Sequence, residues 1–169
     1  PAQLKRIDHG VFAGCSSLEE IKLPSTLEFI GNMAFAGCAV LRTITIPEGV
    51  TSLPKQMCQG CTRLYRANLP DGLYAIGDEA FAGCLLLEKV NIPKSTFRIG
   101  VRAFHNCQQL ESIALMPTNI HMIEEGAFQE CKMLMDIELP EKLKVLSNAV
   151  FAQCISLKTI KFNQKLREI

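Results

Sequence analysis

Eight cysteines and three histidines are the residues of this 169-residue chain whose types invite chemistry. Cys58-Gln59-Gly60-Cys61 spaces two thiols as a redox pair or half of a zinc site would. A zinc site needs a second such pair to complete it, and the sequence has none. His9, His105 and His121 belong to no His-Glu-x-x-His motif, and the chain has no glycine-rich phosphate loop and no Gly-x-Ser-x-Gly elbow. Acidic pairs such as Glu19-Glu20 and Glu124-Glu125 read as solvated surface. No catalytic residue, no metal ligand and no cofactor site is assigned, and the chain is expected not to be an enzyme.

The cysteines instead mark a period. Cys15, Cys38, Cys61, Cys84, Cys107, Cys131 and Cys154 follow one another at steps of 23, 23, 23, 23, 24 and 23 residues. Leucine comes three positions after each, from Leu18 and Leu41 to Leu157. Phenylalanine comes three before in six of the seven copies: Phe12, Phe35, Phe81, Phe104, Phe128 and Phe151. Cys58 is the exception, so it fills the Phe column while Cys61 fills the Cys column. An apolar pair such as Ile44 and Ile46 comes next, then proline: Pro24, Pro47, Pro70, Pro93, Pro117 and Pro140. Met116 is the extra residue of the 24-residue step. A fixed period in this range predicts a solenoid. One copy is too small to bury a core alone, whereas stacked copies turn each column into a continuous apolar ridge. The histidines fall in three different columns, beside Asn32, Ala36 and Glu28, so stacking does not bring them together.

The period overrides length as a guide to organisation: residues 1–169 read as one solenoid of seven repeats plus a partial eighth. Pro1, Leu4 and Ile7 match Pro24, Leu27 and Ile30 at the start, and Asn163, Leu166 and Ile169 fill the same columns at the end. No signal or transit segment is visible. The expectation is an excerpt of a longer chain, or ends covered by a partner. A net charge of +1 gives nucleic acid or an anionic membrane nothing to hold. The longest apolar run, around Ala82 to Leu87, is far too short to insert in a bilayer. Seven cysteines in one column do not suit disulfides, because stacked side chains point the same way and a bridge needs β-carbons about 3.8 Å apart. They are expected as a buried thiol ladder.

Within a copy, Leu18-Glu19-Glu20-Ile21-Lys22-Leu23 alternates in its second half as a half-buried strand does. The copies should pair in parallel, one strand per repeat, and Pro24 ends the strand. Leu27 and Ile30 point inward from an extended return. The spacing of Ala34, Phe35, Cys38 and Leu41 predicts a short helical turn, with Gly31, Gly77 and Gly100 allowing the bend before it. Irregular geometry is expected at the third copy, where Met57, Cys58 and Ala67 replace Ala, Phe and Ile, and at the fifth, where Thr96 replaces Leu or Val.

The pattern Ile-Gly-x-x-Ala-Phe-x-x-Cys-x-x-Leu-x-x-Ile-x-Ile-Pro, carried by Ile30 to Pro47 and repeated along the whole chain, resembles the BspA-type class of leucine-rich repeats. The resemblance implies an α/β fold, a right-handed solenoid with one parallel strand and a short helical turn per repeat. It also implies a role in adhesion or protein binding, and a cell-surface or secreted location, with the cytoplasm as the alternative that a reduced thiol ladder would suit. Pro24, Ser25 and Thr26 stand where a general leucine-rich repeat carries a capping asparagine, so no asparagine ladder is expected.

What varies is the outward face of the strands: Glu20 and Lys22, Thr43 and Thr45, Arg66 and Asn68, Lys89 and Asn91, Ser112 and Ala114, Asp136 and Glu138, Thr159 and Lys161. Glu20, Lys22, Thr43, Thr45, Arg66, Asn68, Lys89, Asn91, Asp136 and Glu138 are the candidate contacts to a partner protein, with Tyr65 and Met135 at the strand edge as anchors. The alternative is a structural spacer or scaffold segment of a larger assembly, in which coil ends and turn edges would carry the contacts.

Overall fold

The computed structural model describes residues 3–169, so Pro1, which the repeat register aligns with Pro24, lies outside the described residues. The chain winds into a parallel β-solenoid in which each coil lies one repeat from the next. The middle coils have three runs: a strand at the Leu-x-x-Ile-x-Ile segment, a second short strand, and a run of turns through the Phe and Cys columns; the return between Glu138 and Thr159 keeps only a single bridge, Val145 to Glu168.

The first strand series is β3 (Thr43–Thr45), β5 (Arg66–Asn68), β7 (Lys89–Asn91), β9 (Ser112–Ala114), β11 (Asp136–Glu138) and β12 (Thr159–Lys161). β3, β5, β7 and β9 form one parallel sheet; β11 and β12 form another. The register steps by whole repeats, with Ile44 beside Ala67 and Ile137 beside Ile160. The hydrogen-bonded sheet is interrupted between β9 and β11, where Met116 lengthens the coil by one residue. Residues 18–23 of the first copy, expected as a strand, are irregular.

One strand per repeat is a correction the structure imposes. The extended return pairs as well, giving β1 (Arg6–Ile7) with β2 (Phe29–Ile30), and a second four-stranded sheet of β4 (Ser52–Leu53), β6 (Ala75–Ile76), β8 (Arg98–Ile99) and β10 (Met122–Ile123). These strands hold two residues each, below the length at which alternation is visible in sequence. Their inward residues, Ile30, Leu53, Ile76, Ile99 and Ile123, are buried.

The helical turn is the second correction: no helix occurs among the described residues. An α-helix needs successive N–H groups to bond four residues back. Here alternate N–H groups leave the coil. Gly10, Phe12 and Gly14 donate to the carbonyls of Asn32, Ala34 and Ala36 in the next coil, at 2.9, 2.9 and 2.7 Å. The residues between close three-residue turns, Ala13 to Gly10 and Cys15 to Phe12. Two positions per coil are left-handed to make this zigzag. One lies five residues before the cysteine (Gly10, Met33, Gln56, Glu79, Arg102, Gly126, Ala149), the other one residue before it (Gly14, Gly37, Gly60, Gly83, Asn106, Glu130, Gln153). The apolar spacing that suggests a helix is thus produced by chained turns with a third inter-coil ladder.

The core columns lie between these three runs. Phe35, Phe81, Phe104 and Phe128 are fully buried. Their rings stack along the axis, with centroids 5.4 Å apart for Phe81–Phe104 and for Phe104–Phe128. Cys58 interrupts this stack, yet Met57 and Cys58 are both fully buried: a large Met in the Ala column offsets a small Cys in the Phe column. Thr96 does not disturb its coil. It is fully buried and its hydroxyl donates to the Leu73 carbonyl at 3.1 Å, while Ile99 pairs in register with Ile76.

Gly31, Gly77 and Gly100 do not make a left-handed bend. A Cβ on Gly77 would meet the Leu53 carbonyl oxygen at 2.5 Å, so glycine lets one coil lie against the one before it. Gly83 is different: its φ is +74° and a Cβ there meets only the Gly60 backbone, at an ordinary 3.7 Å. Gly72 has neither constraint. Alanine at these three sites should therefore give an ordered series in urea unfolding. Gly83→Ala should cost roughly 1–2 kcal/mol from backbone handedness. Gly77→Ala should cost more, and Gly72→Ala should be neutral or slightly stabilising. Equal losses at all three would contradict this assignment.

Candidate functional site

Cys15 is exposed and the other seven cysteines are buried; all are free. Six of them form a ladder that the hydrophobic reading alone does not contain. The Sγ of Cys38 donates to the Phe12 carbonyl of the preceding coil at 3.1 Å. Cys61 does the same to Phe35 and Cys84 to Cys58, both at 3.2 Å. Cys107, Cys131 and Cys154 continue to Phe81, Phe104 and Phe128 at 3.2, 3.3 and 3.1 Å. Each thiol therefore fills apolar space and also adds a second donor to a carbonyl that already accepts the N–H of the preceding coil's cysteine, as Phe35 does from Cys38 at 3.1 Å.

Its electrostatics oppose nucleophilic use. Reactive thiols have lowered pKa values. Here burial pushes the Cys38 thiol up to about 11 from an ordinary 9.0, and the Cys154 thiol likewise to about 11. A hydrogen bond with Cys61, then burial, holds Cys58 well above its ordinary value. Burial does the same for Cys84, Cys107 and Cys131. Cys58 and Cys61 are members of two packing columns. Among the described residues, no three His, Cys, Asp or Glu side chains group as metal ligands would.

The histidines sit in three settings. His9 Nδ1 accepts the Asn32 N–H at 2.9 Å. His121 lies on the second sheet's side, stacked on Phe97 with centroids 4.6 Å apart and bonded through Nδ1 to the Asn119 carbonyl at 2.7 Å. His105 lies in the turn run, with a buried Nδ1 that has no partner among the described residues.

The strand face is where the candidate contacts are found. Glu20, Lys22, Thr45, Arg66, Asn68, Lys89, Asn91, Asp136 and Glu138 are exposed, and Thr43 is half-buried. Inward neighbours on the same strands, Ile44, Ala67, Val90, Ile113 and Ile137, are buried. The period-2 alternation thus separates a sealed core from a solvated row of side chains. Glu20 and Lys22 project from irregular chain beside β3 rather than from a paired strand. Asp136 and Glu138 lie beyond the interruption after β9, where Thr159 donates to Asp136 and Lys161 reaches Glu138 at 3.8 Å. Tyr65 is 43% exposed, while Met135 is half-buried. Sequence reasoning did not find an aromatic stack on the other side of the coil, Tyr74 on Phe97 at 5.3 Å and Phe97 on His121. Its signal was present as three aromatic rings in one column.

The raised thiols give a signed pH dependence. A folded-state pKa above the unfolded value means that the folded chain holds its protons longer. The stability this represents is complete below about pH 9 and is lost as pH rises toward and past 11 for Cys38 and Cys154. Each thiol that stays protonated should contribute a loss of about 1.4 kcal/mol per pH unit above its unfolded pKa. Urea unfolding between pH 8 and 11 should show this decline, with a shallower slope in Cys84→Ala. An identical slope in that variant would contradict a protonated, buried thiol.

Comparison with known proteins agrees with this geometry. Residues 1–111 and 75–169 match the model of the BspA type Leucine rich repeat region, in six copies. A leucine-rich repeat protein from Bacteroides ovatus is 36% identical with a TM-score of 0.91, over 96% of this chain and 42% of that one. A leucine-rich repeat protein from T. pallidum is 30% identical with a TM-score of 0.83, over 94% of this chain and 76% of that one. A leucine-rich cell surface protein from Faecalibacterium prausnitzii is 28% identical with a TM-score of 0.67, over 96% of this chain and 52% of that one. The chain thus spans less than half the length of the first of these structures. No curated protein matches it. A 23-residue period, coils bonded on three runs and a family match along the whole length make this chain a member of the BspA-type leucine-rich repeat family.

Proposed function

We propose that the chain is a non-enzymatic protein-binding or adhesion module whose strand face meets another protein. The observation that carries this reading is the division of labour along the strands. Nine of the ten candidate side chains are exposed, and they differ from coil to coil, while the columns behind them repeat. A rigid sheet presents those side chains at intervals of about 4.8 Å across strands, so affinity is spread over several coils. Proteins of this repeat class are in general protein-binding or surface-associated, and the Faecalibacterium relative is described as a cell surface protein. That supports a surface or secreted setting for this chain. Among the described residues, no helix is long and apolar enough to cross a membrane; the segment acts by contact with a partner rather than by inserting itself.

Site-specific photo-crosslinking in the source organism tests this. A benzophenone side chain at Thr45 or Asn91 should join the chain to another protein. The same probe at Met122 on the second sheet or Arg102 on the turn side should give little product. Crosslinks confined to Met122 and Arg102 would contradict the strand-face reading and favour a spacer held by its edges.

A further inference from the structure

One point on the strand face carries an unusual arrangement of charge. Arg66 of β5 and Lys89 of β7 are directly opposite each other in register. Like charges so placed destabilise a strand pair. Among the described residues neither forms an ion pair, although Lys5, Arg6, Arg42, Arg98 and Lys161 each do. The outward positions of the four-stranded sheet, Thr43 and Thr45, Arg66 and Asn68, Lys89 and Asn91, Ser112 and Ala114, contain no carboxylate.

The pairing is also loosened there. β3 with β5 and β7 with β9 match at three positions each, whereas β5 and β7 match only at Arg66 and Lys89. The Ile46 N–H reaches the Asn68 carbonyl at 3.0 Å, and among the described residues no equivalent bond runs from Leu69 to Asn91 or, one coil on, from Ile92 to Ala114. A cleft of about 280 Å³ opens at this place, lined by Arg66, Ala67, Asn68, Lys89 and Asn91. Its walls are two cations and two amides. Asn68 donates its Nδ2 to Thr45 Oγ1 at 2.9 Å, which holds that amide in place.

We propose that this cleft takes the carboxylate side chains of an acidic peptide segment of a partner protein. The inference rests on the strand-face reading and names the partner's chemistry. Two adjacent ammonium and guanidinium groups offer charge-assisted bonds to carboxylates. The amides beside them can donate to and accept from a peptide backbone. The cationic stretch is short. Neutral Ser112 and Ala114 follow it, then Asp136 and Glu138. A long polyanion, such as a sulfated glycan, would run on into those carboxylates, whereas a few acidic residues end short of them.

The test is an NMR titration of the isotopically labelled chain with the capped peptide Glu-Thr-Glu-Thr-Glu at low salt. The amides of residues 66–68 and 89–91 should shift, and added salt should reverse the effect. Arg66→Gln or Lys89→Gln should weaken binding about tenfold, the loss of one hydrogen bond to a charged group. Lys94→Gln, an exposed cation off this face, should change nothing. Binding of Gln-Thr-Gln-Thr-Gln equal to that of the acidic peptide would overturn the proposal. So would tighter binding of a sulfated hexasaccharide at the same amides, or no shift at all. If crosslinks form at Thr45 and Asn91 while the acidic peptide fails to bind, only this inference falls. If both fail, the strand-face reading falls with it.

Discussion

The structure depends on one constraint: every coil must lie in register on the next. Alternate backbone N–H groups of the turn run, both strand series and six thiols all find their acceptors in a neighbouring coil rather than within their own. A repeat in isolation would leave these groups to water and its apolar columns half-covered. The 23-residue period is therefore an energetic requirement. It is the length of chain that returns a phenylalanine to the ring beneath it and a cysteine to the carbonyl beneath it.

The same constraint explains which positions are free to vary. Phe, Cys and Leu columns, the close-approach glycine at Gly77 and the left-handed sites all answer to the coil before or after. The outward strand positions meet a neighbouring coil only through solvated pairs such as Asn68 with Thr45 and Lys161 with Glu138, so side-chain type is freer to vary there. The Arg66–Lys89 opposition fits this logic: its cost falls on the sheet locally, at a pairing already reduced to one position, and the core behind it stays buried. The extra Met116 acts similarly. It interrupts the hydrogen-bonded sheet after β9 without displacing Leu115 or Ile120 from the core.

Much of this was legible in the sequence, because a column repeated seven times reports its environment more strongly than any single residue. The core, the first strand series and the solvated face follow from the alignment of Cys15 to Cys154 alone. The turn run did not, since Ala34, Phe35, Cys38 and Leu41 have the same spacing in a helix and in chained turns. The distinguishing signal was the glycine one residue before the cysteine in the first four copies, continued by Asn106, a residue type that also tolerates the left-handed region. Two-residue strands such as Ser52–Leu53 are too short to show alternation. The thiol ladder was legible as buried cysteine but not as a hydrogen-bonded one, because the acceptor carbonyl lies 26 residues away for most of its members. The exposure of nine of the ten candidate residues could be read ahead of the structure; that Glu20 and Lys22 stand on irregular chain, and that Arg66 and Lys89 border a cleft, could not.

Stability in this fold comes from whole coils stacked in register. Removing residues 62–84, one full period, should leave every column aligned. The shortened chain should unfold cooperatively in urea at a somewhat lower midpoint, since a uniform stack loses one unit and one interface. Removing residues 62–73, about half a period, sets the turn run of one coil against the strands of the next and should abolish the cooperative transition. A shortened chain that tolerates both deletions equally, or neither, would contradict the claim that the 23-residue register holds this protein together.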